Sequence, residues 1–365
     1  MTFIGRQVDL RDVDWLMLGI VLVIAAIGVL QIYSTTANTK FAGAHQKQLL
    51  WILLGLVGFI IMSLFDYRML LNFSPWVYFA VLLVLGSTLL FGAEIMGARR
   101  WIKLGWFTLQ VSEFAKLAVI LLLARFFNGP KKGNLSVTDV AKVGVVAGIP
   151  AFLIAVQPDL GTALTLVAIV MSVLFVAGLK IRHFALMLLA GILAMPIAWQ
   201  YMRPYQQERI ATFLHMQQDQ QKSGYQVLQS KIAVGSGEFW GKGAAQGTQT
   251  QLSFLPVPHT DFILAAFAEE HGFLGVLCCL LLYLFLLMRL VKNSKMAPDT
   301  GGMFLIIGFV GVFLFQFTVN VGMVVGNLPV TGIPLPLMSY GGSSTLSVFL
   351  SLGLVNSVKM RSFVN

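Results

Sequence analysis

The residues best suited to chemistry are a few ionisable and amide side chains set at the ends of long apolar runs. Leu255-Pro256-Val257-Pro258-His259-Thr260-Asp261-Phe262-Ile263 leads directly into one run, and Glu269 and Glu270 follow inside it. On a helix rising about 1.5 Å per residue they would lie about 12 Å beyond Asp261. Asp261, Ala265 and Glu269 would then share one face. A carboxylate in apolar surroundings is expensive, and such residues default to a functional reading. His259 beside Asp261 can be a proton partner or a metal ligand; Thr260 or Asp261 can instead do no more than cap the helix.

A second constellation is Gly97-Ala98-Arg99-Arg100-Trp101-Ile102-Lys103, followed by Gln110-Val111-Ser112-Glu113-Phe114-Ala115-Lys116. Arg99, Arg100 and Trp101 suit a phosphate-bearing headgroup at a membrane interface, or a plain interfacial anchor. Ser112 can cap the helix that follows, and Glu113 suits its first turn. Glu113 and Lys116 are three apart, so they can pair, either structurally or as part of a site. In Gln157-Pro158-Asp159-Leu160-Gly161-Thr162, Asp159 can cap a helix or line a cavity. Arg209, Lys231 and Lys242 lie in a glycine-rich stretch whose backbone can approach a ligand closely. They can hold pyrophosphate or face solvent. Residues 328–336, rich in proline, run on to Ser339-Tyr340-Gly341-Gly342-Ser343-Ser344. Irregular backbone at membrane depth is tolerated only when buried or lining water, so this segment reads as a cavity wall. The alternative is an exposed loop.

Several chemistries have no footprint. There is no His-Glu-x-x-His, no paired zinc ligands, no Gly-x-Ser-x-Gly elbow and no Walker phosphate loop. The formal net charge is +10, yet the charge sits between apolar runs rather than in a nucleic-acid footprint, so no nucleic-acid partner is expected.

The elements that must position these residues are apolar helices. The chain has 365 residues, 57% hydrophobic and 11% charged, against about 25% charged in a soluble domain. So few charges cannot cover a water-facing surface, and lipid must solvate most of it. With about 20 apolar residues per span, ten spans are predicted: 15–33, 49–65, 75–93, 112–127, 140–156, 160–177, 184–199, 262–290, 303–324 and 340–358. The fourth is short; the eighth is long and must tilt or project. The expected fold is an all-α polytopic membrane domain over 1–365, with no internal repeat and a long extracytoplasmic loop, 200–260, between helices seven and eight.

Placing both termini in the cytoplasm gives every inside segment at least one Lys or Arg, among them Arg6, Arg11, Lys131 and Lys132. The outward segment 94–111 is basic against that rule, which suggests a task for its charges. The first run has no cleavage site after it and reads as a retained anchor. Cys278 and Cys279 lie inside an apolar run and read as packing residues.

Over nearly its full length the chain resembles the SEDS family (shape, elongation, division and sporulation), most like its elongation branch. The carrying motifs are 97–116, 157–162, 224–247, 255–272 and 328–344. Residues 247–256 and the short N-terminal tail favour the elongation branch over division relatives. The resemblance implies a peptidoglycan glycosyltransferase in the bacterial inner membrane, acting on lipid II with a class B penicillin-binding protein and other elongation-complex membrane proteins. It places the family's key aspartate on Asp261 and its Gln-Pro-Ser-Glu motif on Gln110–Glu113. Three positions depart from the pattern. Val111 replaces proline, Val257 replaces an acidic residue, and Glu238 stands where glycine is usual.

On that resemblance, Asp261 takes the proton of, or orients, the acceptor hydroxyl. Glu113, Lys116, His259, Thr260 and Glu270 support it. Arg99, Arg100, Trp101, Gln110, Ser112, Asp159, Arg209, Lys231, Lys242, Ser339, Tyr340 and Gly341 contact substrate. A divalent cation, Mg2+ or Mn2+, can share the charge, and the residues do not single out a metal site. Two rival classes fit some of the features: a lipid II flippase or carrier, and a scaffold that only recruits wall enzymes. Carriers often show inverted repeats and broken helices at the midplane, whereas here the motifs gather on one face. A scaffold would not need Asp261 or Glu113 in apolar surroundings.

Overall fold

The structure is a computed structural model that describes residues 12–37, 39–95, 98–105, 107–129, 135–202, 204–214 and 223–363. The expectations placed on Arg6, Arg11, Gly97, Lys131 and Lys132 lie outside the described residues.

All ten predicted apolar segments lie on helices: α1 (Trp15–Thr36), α2 (Ala44–Leu64), α3 (Tyr67–Phe91), α4 (Val111–Phe126), α5 (Val137–Val156), α6 (Leu160–Val176), α7 (Ile181–Tyr201), α11 (Ile263–Lys295), α12 (Thr300–Val324) and α13 (Gly342–Met360). Six of these, α1, α2, α3, α5, α11 and α12, are long and apolar enough to cross a membrane; α6 and the first part of α7 are shorter apolar helices. The long loop is itself helical in three pieces: α8 (Pro204–Leu214), α9 (Ser223–Ser236) and α10 (Thr248–Gln251).

Three helix boundaries differ from expectation, each for a local reason. α3 starts at Tyr67, well before 75, because Asp66 accepts from Arg68 N at 2.9 Å and caps it. Pro75 therefore falls inside the helix, where it cannot donate to Leu71 O. That carbonyl accepts instead from Ser74 Oγ at 2.7 Å and Arg125 Nη1 at 3.4 Å. α2 starts at Ala44 and takes the polar turn His45–Gln48 into the helix. The long α11 does not merely tilt: it breaks at Gly272 (φ 63°, ψ −166°). The part beyond the break, 273–295, is about 34 Å long, close to the hydrocarbon thickness.

A second correction concerns segment 94–111. It is not a plain loop but a three-stranded antiparallel sheet in an otherwise helical chain: β1 (Ala93–Ile95), β2 (Ala98–Leu104) and β3 (Phe107–Gln110), in that order. Trp101 pairs with Ala93 on one side and Gln110 on the other. The β2–β3 turn uses Gly105 at φ 63°. The sheet delivers the chain straight into α4, because Gln110 ends β3 and α4 opens at Val111.

α4 is short, yet it is lined on its sides by α3, α6, α12 and α13 and most of it is buried. α2 lies along α13, and α12 runs through the middle against α4, α6 and α11. Close approach is built from small residues, as is usual between apolar helices. Gly308 of α12 meets Ile120 of α4, and Gly311 meets Ser172 of α6. At the end opposite the long loop, polar clasps tie the bundle. Asp14 accepts from Arg289 and Asn293, and Tyr67 and Arg68 both bond Asp299.

Candidate active site

Asp261 lies in the turn just before α11, whose N-cap is Phe262, with no side-chain cap. Neither Thr260 nor Asp261 caps the helix, so the alternative that they do no more than cap it does not hold. The turn is instead fixed through its backbone. Asn320 Nδ2, on buried α12, donates to Asp261 O and to Ile333 O, both at 2.9 Å. Ser339 Oγ donates to Thr260 O at 2.7 Å, and Tyr340 N donates to His259 O at 2.9 Å. The His259 ring lies between Phe41, at 4.7 Å, and Tyr340, at 5.9 Å. Burial holds the His259 imidazole below its ordinary value, so it is the neutral ring that stands here.

The Asp261 carboxylate faces cations. A Cβ placed on Gly332 would lie 3.6 Å from Asp261 Oδ2 and 3.7 Å from Arg209 Nη1, so the bare glycine leaves a gap that both groups border. Arg209 is oriented by Val330 O at 3.2 Å. Burial pushes the Asp261 carboxyl up; Arg209, then Arg100, oppose the shift, and Asp159 adds to it. The result is a carboxylate raised above its usual range with two guanidiniums close enough to influence it.

Asp159 is the second acid of this cluster: of the two readings the sequence offered, a cap or a cavity contact, the structure shows the cap, and it adds polar partners on the other oxygen. Oδ1 caps α6 through Thr162 N at 3.2 Å. Oδ2 takes Gln110 Nε2 at 2.9 Å, Ser112 Oγ at 3.4 Å and Arg100 Nη1 at 3.5 Å. Ser112 does not cap α4, because Gln110 occupies the N-cap. Gln110 N donates to Ser343 Oγ at 2.9 Å, which joins β3 to the first turn of α13. The N-termini of α4, α6, α11 and α13 thus gather around one polar cluster, each adding partial positive charge.

Glu113 and Lys116 form a separate, deeper pair. Lys116 Nζ reaches both Glu113 oxygens at 2.9 Å, and both side chains are buried. Ser347 Oγ of α13 donates to Glu113 Oε2 at 3.0 Å. The pair has no direct bond to Asp261.

Glu269 is not the second member of an Asp261 face, because Asp261 stands before the helix begins. Its side chain is 0% exposed and holds the long loop. It accepts from Lys242 Nζ at 2.8 Å, Gln249 N at 2.9 Å, Thr250 Oγ1 at 3.0 Å, Thr250 N at 3.2 Å and Thr248 Oγ1 at 3.3 Å. Lys242 is therefore held by Glu269 and Thr248, away from the Asp261 cleft. Two of the loop glycines approach protein closely: Gly237 abuts Ala268 O, and Gly247 abuts Glu269 Oε2, while a Cβ on Gly235 would meet nothing within 4 Å. Glu270 takes Ser34 Oγ of α1 in a short hydrogen bond. Lys231 of α9 lies against Gly326. Arg99 pairs with Glu94 at 3.2 Å on the exposed side of the sheet, and Trp101 is half-buried within it.

The structure thus brings together His259, Thr260, Asp261, Arg209, Arg100, Asp159, Gln110, Ser112, Ser339, Tyr340 and Gly341. Glu113 and Lys116 pair with each other, Glu270 with Ser34, Lys242 with Glu269 and Arg99 with Glu94, so these bonds are made away from the Asp261 carboxylate. Sequence reading missed Gln48, which bonds Gly341, and it read Asn320 and Ser343 only as part of a cavity wall, whereas their side chains hold the turns together. Their signal was available: a polar side chain inside or next to an apolar helix must find a partner.

A divalent cation would need donors beyond the two aspartates. Among the described residues no three of His, Cys, Asp and Glu converge, and the two aspartates are already balanced by Arg209 and Arg100. The described residues make no cation cage by themselves; Mg2+ commonly takes one or two carboxylates plus substrate phosphates.

The family described as cell cycle protein, FtsW/RodA/SpoVE, matches residues 13–363. The peptidoglycan glycosyltransferase MrdB of Escherichia coli K12 is 38% identical, covering 96% of this chain and 94% of that one. The stage V sporulation protein E of Bacillus subtilis is 36% identical over 96% and 97%. Among solved structures, a chain described under structural coordination of polymerization and crosslinking by a peptidoglycan synthase complex superposes with TM-score 0.83 at 33% identity, covering 97% and 99%. The Thermus thermophilus rod shape determining protein RodA gives 0.73 at 31% identity, covering 97% and 98%. With a family match over almost its whole length and relatives well above 30% identity, this chain belongs to the FtsW/RodA/SpoVE family.

Proposed function

We propose that this protein is a peptidoglycan glycosyltransferase that polymerises lipid II on the outer face of the bacterial cytoplasmic membrane during cell elongation. The names of its relatives support the activity. The single observation that carries the mechanism is the Asp261 carboxylate, anchored through its own backbone and bordering the Gly332 gap beside Arg209. On this reading the chain crosses the membrane ten times, with both termini inside and α8–α10 outside.

The acceptor lipid II presents its GlcNAc 4-hydroxyl to Asp261. The hydroxyl oxygen attacks the anomeric carbon of the growing donor, and its proton passes to the carboxylate. The bond from that carbon to pyrophosphate breaks, and undecaprenyl pyrophosphate leaves with the electron pair. Base assistance is worth about 10²–10⁴-fold. The leaving group needs charge stabilisation more than a proton. Arg209, Arg100 and the helix N-termini around Asp159 supply it; a divalent cation arriving with the substrate would add to it. A carboxyl raised by burial is a stronger base once ionised, and the two guanidiniums keep the ionised form accessible.

The partner on this reading is a class B penicillin-binding protein, which crosslinks what this chain polymerises, within a larger elongation complex. The structural neighbour described as part of a peptidoglycan synthase complex supports that pairing.

The test is purified wild type against Asp261→Asn, given lipid II with the penicillin-binding partner and no other polymerase. Polymer from the wild type alone is expected. Full polymerisation by Asp261→Asn would remove the base role. Polymer from neither, with lipid II moved across vesicles by the wild type, would replace this reading with transport.

A further inference from the structure

We infer that Gln48, on the first turns of α2, is a positioning residue for the reaction: it sets the place of Ser339–Gly341 and, through them, of the His259–Asp261 turn. The inference rests on the reading of Asp261 as the base.

The amide is 1% exposed and uses both ends. Its Oε1 accepts from Gly341 N at 3.2 Å. Its Nε2 donates to Thr345 Oγ1 at 2.9 Å and lies 3.4 Å from Ser339 O. Gln48 therefore grips the backbone on both sides of Tyr340 and ties it to the first turn of α13. One helical turn on, Trp51 closes over Gly342, where an added Cβ would come within 2.4 Å of the indole. α2 thus forms a fixed wall for residues 339–342.

What that wall holds is the turn of Asp261. Ser339 Oγ donates to Thr260 O, and Tyr340 N donates to His259 O. Ser339 Oγ also accepts from Leu335 N at 2.9 Å, so it is spent on backbone at both sides. These bonds cross the two residues before Asp261, while Asn320 holds Asp261 O from the other side. A chain of contacts runs Gln48, Ser339–Gly341, Thr260, Asp261. No member of it before Asp261 needs to touch substrate.

A positioning role differs from general support of the fold in what it moves. Displacing a base by a fraction of an ångström lowers turnover while leaving substrate affinity and the bundle intact. Gln48→Met keeps the volume and loses both hydrogen-bonding ends; Gln48→Glu keeps the acceptor for Gly341 N. The experiment measures kcat and KM for lipid II, with the partner present, together with the thermal midpoint, for Gln48→Met, Gln48→Glu, Ser339→Ala and the Gln48→Met/Ser339→Ala pair. Expected are a fall in kcat of about tenfold or more for Gln48→Met at a KM within about twofold, and partial recovery in Gln48→Glu. The double variant should be little worse than the worse single one, because the two act along one chain of contacts. Wild-type kcat in Gln48→Met overturns the inference, as do losses that multiply in the pair or that track the folded fraction. If Gln48→Met does not fold, Gln48→Glu with Ser339→Ala carries the same comparison. Asp261→Asn serves as the reference. If that variant polymerises fully, the reading of Asp261 has failed; if it is inactive while Gln48→Met and Gln48→Glu behave as wild type, only the role of Gln48 has.

Discussion

The break in α11 is the feature most open to a direct challenge. At Gly272 the backbone takes φ 63°, ψ −166°, a region that is essentially glycine's alone and costs another residue about 1–3 kcal/mol. A Cβ there would come within 2.3 Å of Gly241 N and 2.7 Å of Phe239 O. Both are main-chain atoms of 237–243 and cannot swing aside. That segment fills the break and satisfies the backbone groups it frees. Phe273 N donates to Glu238 O at 2.8 Å and Leu274 N to Phe239 O at 3.2 Å, while Lys242 N and Gly243 N donate to Glu269 O and Glu270 O. Expelling it forfeits up to four bonds worth about 1 kcal/mol each.

Gly272→Ala is therefore expected to destabilise by about 2–5 kcal/mol. At about 2 °C per kcal/mol for a large chain, the thermal midpoint in detergent falls by about 4–10 °C. Protease should also cut within 237–243 sooner, since this segment leaves its seat first. Gly144→Ala is the control, because an added Cβ there meets nothing within 4 Å. A Gly272→Ala protein with the wild-type midpoint and wild-type protease resistance would refute the account of the break. Equal losses in Gly144→Ala would show that any added methyl is harmful and that the break is not special.

Three further outcomes follow from the polar contacts. Lys116→Met leaves the Glu113 carboxylate buried without its cation, a loss of about 3–5 kcal/mol; thermal unfolding should show it, with much of it regained in Glu113→Gln/Lys116→Met. Arg209→Gln removes the foremost group opposing the upward push of burial on Asp261. Less carboxylate is then present at a given pH, so the acid limb of the kcat profile moves to higher pH; an unmoved limb would mean that Arg209 does not act on Asp261. Glu269→Gln weakens the hold on Lys242 and α10, so trypsin should cut after Lys242 faster than in the wild type, and an unchanged rate would mean the clasp does not hold the loop.

The apolar helices were legible because a run of apolar residues has few other uses at this length. Their ends were less so. Hydropathy begins α2 at 49, while the helix starts at Ala44 and thereby carries Gln48 onto the face that meets α13. The sheet at 93–110 escaped because β1 and β3 are only 3 and 4 residues long and β2 is broken up by three basic residues, and pairing between strands is not a periodic signal. The Asp261 cleft was legible as residue types near helix ends, but not as a set of contacts. Gln48 and Ser339 stand 291 residues apart, and Gln110 and Ser343 233 apart. Such pairs are fixed by how helices pack. Two departures from the family pattern fall on unusual backbone: Glu238 has φ 48° and Val257 φ 47°. Glycine would suit the first better, which gives the family's usual residue at that position a physical reason.

The error over Glu269 sharpens the case for Asp261. Both are acids beside or within an apolar helix, and sequence gave them one rule: buried acid, therefore function. The structure separates them by what their oxygens already hold. Glu269 accepts from Lys242, Thr248, Gln249 N and both donors of Thr250; an acid so engaged is a clasp, and taking up a proton would mean giving up the loop. Asp261 is held through its carbonyl by Asn320, takes a hydrogen bond from Thr260, and faces Arg209 across the gap at Gly332. A group fixed by its backbone keeps its carboxylate for a substrate without loss of place. Burial made both carboxylates conspicuous; the difference in engagement is the ground on which Asp261, and not Glu269, is proposed as the base.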